Sequence, residues 1–130
     1  MTAQHMEHDG PLIPQPAMTR EALREAVKRI ALPSLAELDR ECEKAFDRAV
    51  QTQSTNPLRF FLIKWATFVA MQRWPARAAA LHEAEQISGD PRSTQEQFRA
   101  AMDTTNRILA EAQQEIGPWL SGAGRGARDR

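Results

Sequence analysis

The 130-residue chain has no tyrosine, a single cysteine and no net charge, its seventeen lysines and arginines balancing seventeen aspartates and glutamates. With Cys42 as the lone thiol, no internal disulfide can form, and a reducing cytoplasm is the expected setting. Zero net charge leaves no overall field to steer nucleic acid or a membrane onto the protein. The six glycines sit near chain ends and expected helix ends, so no glycine-rich phosphate loop or Gly-x-Ser-x-Gly elbow is present. The most apolar stretch, 58–74, is interrupted by Arg59, Lys64 and Arg73 and falls short of the roughly 20 residues that span a bilayer. Residues 1–16 carry no lysine or arginine and no apolar core, so a secretory signal is not expected in them. Neither strand-period alternation nor an internal repeat occurs.

What remains is 42% hydrophobic and 26% charged, a balance that predicts a soluble, helix-rich domain. The predicted fold class is all-α, a four- to five-helix bundle with a long C-terminal helix. Its expected organisation is a disordered leader over 1–17, one helical domain over 18–117 and a flexible glycine- and arginine-rich tail over 118–130.

Helical spacing carries that reading. Thr19 is the expected cap of a first helix whose apolar side is Ala22, Leu23, Ala26, Val27 and Ile30, stopped by Pro33. Ser34 with Glu37 predicts a capping box opening a second helix over 34–53. Its stripe of Leu35, Leu38, Cys42, Ala45, Phe46, Ala49 and Val50 faces inward, and its outer faces are acidic. Asn56-Pro57 predicts the start of a third helix over 57–73, with apolar residues on nearly its whole circumference. Such a helix must be covered on most sides, so it is the expected centre of the domain, with Trp65 buried in it. Pro75 opens a fourth helix, Gly89 caps it, and Ser93 with Glu96 predicts a second capping box before a long fifth helix ending near Ile116. With few apolar anchors outside 19–121, trimming either terminus is expected to leave thermal stability nearly unchanged.

The order of these segments, REALREAVKRIA, then LAELDRECEKAFDRA, then PLRFFLIKWATFVAMQRWP and ARAAALHEAE, resembles a small actinobacterial helical family that has no established activity. The resemblance covers about residues 19–86. It implies a cytoplasmic helical domain and, because small helical proteins of this sort sit beside toxin genes, a neutralising, antitoxin-like partner role.

Residues able to carry chemistry are few. His5, Glu7, His8 and Asp9 could chelate a metal, but a leader without structure must be ordered to do so. His82, beside Glu83 and Glu85, lacks the paired Glu-x-x-His motifs of a carboxylate-bridged centre and reads as a solvated helix face. Cys42 reads as a small buried hydrophobe rather than a nucleophile. No catalytic, metal or cofactor residue is therefore assigned, and the chain is read as a non-enzymatic interaction or regulatory module without cofactors.

Its expected partners are a second copy of itself, as a homodimer, and another protein that it masks; neither nucleic acid nor a membrane is expected. The candidate partner-binding residues are Phe60, Trp65, Phe68 and Trp74 around the third helix and Phe98, Met102, Ile108 and Leu109 on the fifth. The alternative is a small DNA-binding regulator using Arg20, Arg24, Lys28 and Arg29 of the first helix with Arg125, Arg128 and Arg130 of the tail, although the acidic second helix would repel phosphates. A third reading is a small apolar ligand held around Phe61, Trp65 and Phe68.

Overall fold

Residues 10–120 are described by the computed structural model, and they form an all-helical domain with no strand among them. The helices are α1 (Arg20–Ile30), α2 (Leu35–Thr52), α3 (Asn56–Gln72), α4 (Pro75–Ser88), α5 (Gln95–Glu115) and α6 (Gly117–Leu120), with a 3-10 turn, Leu32–Ser34, between α1 and α2. Five of them answer to the helices that periodicity predicts. The sixth lies where the flexible tail was expected.

Local chemistry sets the boundaries, at places one residue from expectation. Thr19 caps α1 through its hydroxyl, which accepts the Ala22 amide at 3.1 Å. Ser34 makes no such bond: the 3-10 turn runs straight into α2, so its backbone is already helical (φ −89, ψ −3) and its side chain cannot reach back as a cap. Thr55 rather than Asn56 precedes α3, leaving Pro57 in its first turn, where a missing amide costs nothing. The capping box of α5 is Thr94 with Gln97, not Ser93 with Glu96, both reciprocal bonds being present. Ser93 instead donates to the Ile87 carbonyl at 2.7 Å and ties the α4–α5 turn together.

α3 is the hub. Phe61, Trp65, Ala66 and Val69 on it join Leu23, Ala26 and Val27 of α1, Leu38 of α2 and Ile116 at the end of α5 in one core cluster. Trp65 is 2% exposed, and Phe68 meets it edge-on at 5.0 Å between ring centroids. α4 and α5 pair as a helical hairpin that buries Leu81, Ala84, Ala101, Ile108 and Ala112; the small residues on α4 let the two helices approach closely.

The remaining side of α3 is closed by part of the segment expected to be a disordered leader. Residues 10–18 run across it as an irregular strap with bends, neither helix nor strand. The Leu12 amide donates to the Arg73 carbonyl at 2.7 Å, the Gln15 side-chain amide to the Ala66 carbonyl at 3.2 Å, and Ile13 is buried in the core cluster. Three prolines without helical periodicity signal the absence of a helix, but they are compatible with an irregular chain whose partners come from elsewhere. Residues 1–9, including the His5–Asp9 group, and 121–130 lie outside the described part.

The stripe of α2 is also narrower than expected. Leu38 is its one fully buried residue, and Phe46 and Val50 are exposed. α1 has 11 residues and α2 has 18, so α2 outruns its neighbour by about 10 Å.

Two stability outcomes follow from this packing. Trp65→Ala should remove about 3–5 kcal/mol, enough to leave the domain molten by near-ultraviolet circular dichroism, while Trp119→Ala on the half-open α6 should cost less than half of that. A chain beginning at Thr19 should lose the Ile13 anchor, worth about 2 kcal/mol of apolar burial. Its melting temperature should fall by roughly 5–10 °C, contrary to the near-indifference expected from sequence.

Candidate functional site

Two ion-paired clasps fix the surfaces on either side of the hub. On one side Glu41 of α2 accepts from Lys64 Nζ at 2.7 and 2.9 Å and from the Trp65 indole Nε1 at 2.9 Å. The single carboxylate thus satisfies a buried indole and seats α2 on α3. On the other side Glu115 of α5 takes Arg73 at 2.8 Å and Arg77 at 2.6 Å. Arg73, itself buried, also donates to the Ile13 carbonyl and the Gln15 side-chain oxygen, each at 3.1 Å, so it gathers strap, α3 and α5 at one point. Both guanidinium groups lie over the Trp74 ring, 5.0 and 5.3 Å from its centre.

Burial works to raise both carboxyl groups, and in each case hydrogen bonds outweigh it: from Lys64 and Trp65 at Glu41, from Arg77 and Arg73 at Glu115. Both therefore sit below the ordinary value near 4.5.

Between these anchors α2 presents a groove on each flank. The groove against α1 measures about 930 Å³ and is lined by Cys42 and Phe46 below and by Arg20, Glu21, Arg24, Glu25, Asp39, Glu43 and Asp47 at its rims. Asp39 is gripped by Arg24 in a two-point ion pair, 2.8 and 2.9 Å, whose hydrogen bond holds that carboxyl below its usual range. The other four rim carboxylates have no ion pair among the described residues. The groove against α3 is smaller, about 300 Å³, and opposite in sign: Lys44, Arg48 and Lys64 surround the ring of Phe60, with Glu41 already committed to its clasp. Phe46, Val50 and Phe60 are respectively 60, 62 and 64% exposed.

The candidate partner residues divide. Phe60, Phe98 and Met102 are exposed, and Phe68, Trp74 and Leu109 are half-buried. Trp65 and Ile108 cannot meet a partner, since they are core residues of this chain. Trp65 fills the core by contact with its neighbours, and Phe61, also buried, reaches the edge of the groove against α3. Phe46 and Val50 lie on the stripe expected to face inward; for Val50 the seven-residue excess of α2 over α1 was the available signal, whereas Phe46 is exposed in the groove that α1 leaves open beside it.

Cys42 is partly exposed on the groove floor rather than fully buried, and His82 is exposed on α4. No group of three or more metal-ligating side chains stands together among the described residues, and no helix there is long and apolar enough to cross a membrane. Two of the basic residues of α1 stand among carboxylates: Arg24 is paired with Asp39, and Arg20 shares its groove with Glu21 and Glu25.

The clasps give stability a pH dependence of known sign. A carboxyl whose pKa is lower folded than unfolded contributes fully above its unfolded value and loses that contribution as pH falls through the folded one. Melting temperature should therefore be level from neutral pH to about 5 and fall progressively below about 4.5. Glu115→Gln should lower it at neutral pH and make the acid limb shallower.

Comparison with protein families, with curated proteins and with solved structures finds no match to this chain, so its surface is the ground for any functional reading.

Proposed function

We propose that the chain is a non-enzymatic helical interaction module that self-associates and masks a partner protein, in the manner of an antitoxin. One observation carries this reading: large apolar side chains left uncovered in pairs on successive helical turns, Phe46 with Val50 on α2 and Phe98 with Met102 on α5, together with Phe60 on α3. Single exposed hydrophobes are ordinary on a monomer, whereas adjacent ones favour a protein partner. Phe98 and Met102 favour a helix–helix contact with a second copy, because they continue one stripe along the 21-residue α5. Phe60, set among Lys44, Arg48 and Lys64, favours an acidic partner surface.

The DNA-binding alternative is weakened at Arg20 and Arg24, which stand among carboxylates that repel phosphates.

Light scattering at micromolar to millimolar chain should detect a dimer. Phe98→Ser with Met102→Ser should return it to monomer while leaving the far-ultraviolet circular dichroism unchanged. A strict monomer across that range would refute self-association, and a dimer indifferent to the double substitution would move the contact away from α5.

A further inference from the structure

The acidic groove between α1 and α2 differs from the other uncovered surfaces in having a ready occupant of complementary charge. We propose that the chain's own C-terminal segment, residues 121–130, docks in it.

Position comes first. α6 ends at Leu120, and it is held against the start of α3 by Arg59, whose guanidinium donates to the Trp119 carbonyl at 2.7 Å. The Trp119 side chain shares a pocket with Met18, Leu58 and Leu62. Met18 is two residues before Arg20, which opens the groove. The segment therefore leaves the fold beside the groove's mouth. Ten further residues reach at most about 33 Å when extended, against about 12 Å along α2 from Asp39 to Asp47.

Charge comes second. The rims hold five carboxylates against two guanidinium groups, and with Asp39 committed to Arg24 the other four have no ion pair among the described residues. Segment 121–130 carries Arg125, Arg128 and Arg130 against Asp129. Guanidinium groups suit this site twice over, through fork-like hydrogen bonds to carboxylates and by stacking on the exposed ring of Phe46. The groove beside Phe60 would repel the same segment with Lys44, Arg48 and Lys64. A second copy is a poor occupant, because two acidic grooves repel each other. An arginine-bearing segment from outside would have to displace one that is tethered and so present at millimolar effective concentration.

The contacts are solvent-exposed, so occupancy is salt-sensitive. The face involved is not the α5 stripe proposed for self-association, and a monomeric chain would leave this inference standing.

The test compares amide nuclear magnetic resonance spectra of the full chain with those of the Arg125→Glu, Arg128→Glu, Arg130→Glu variant at low salt. Docking predicts shifted resonances at 20–25 and 39–47 and unshifted ones in α4 and α5, with the difference vanishing at about 1 M salt, where the screening length is roughly 3 Å. A synthetic peptide of residues 121–130 should move the variant's groove resonances toward the unsubstituted positions and leave the unsubstituted chain unmoved. Coincident groove resonances in the two proteins would overturn the proposal. So would a difference that fades on dilution, which would assign the occupant to a second copy's segment.

Discussion

A helix of seventeen residues with apolar side chains on nearly every side, as α3 has, has no face that it can turn to water. Everything else in the fold is arranged around that constraint. α1 and α2 cover one part of its surface, α5 another, and α4 leaves its end at the Trp74-Pro75 junction to pair with α5. After the helices have packed, one side stays open, and the chain closes it with the irregular strap 10–18. The strap brings a single apolar anchor, Ile13, and meets the backbone groups of α3 with hydrogen bonds rather than with a helix of its own. Burying α3 also strands polar groups beside it, among them the Trp65 indole and the Arg73 guanidinium. The two carboxylates Glu41 and Glu115 resolve that cost, because a buried donor without an acceptor is worse than the ion pair that satisfies it.

The surface follows from the same arrangement. Elements chosen to cover α3 need not cover one another, and α1 and α2 differ in length. α2 is left with an acidic groove on the flank facing α1 and a basic, aromatic one on the flank facing α3. The zero net charge of the chain therefore conceals a local separation of sign. Opposite charges placed on two flanks of one helix offer partners of opposite character separate sites.

How legible this was in the sequence depends on where the decisive contact lies. Helix existence and order were readable, because periodicity and breakers such as Pro33, Asn56-Pro57 and Asp90-Pro91 act within a few residues. The central place of α3 and the burial of Trp65 were readable for the same reason: an apolar circumference is a local property with a global consequence. The strap was not, since its partners, Ala66 and Arg73, are more than fifty residues away. The exposure of Phe46 was hidden because it depends on how closely α1 packs beside α2, which no single helix reveals. Ile108 belongs to the core for a related reason: the Ala101, Ile108 and Ala112 row of α5 is covered within this chain, whereas Phe98 and Met102 beside it are not.

Arg73 ties residue 13, in the strap, to residue 115, at the end of α5, so one side chain joins the two ends of the domain. The helical hairpins α2–α3 and α4–α5 form between neighbours in sequence, where closing the intervening loop costs little entropy. The Arg73 junction can only form after both hairpins and the strap have met. On these topological grounds it is expected to form late, so that its removal should speed unfolding more than it slows folding. A buried cation that adds nothing to the first collapse would then serve the persistence of the fold once made.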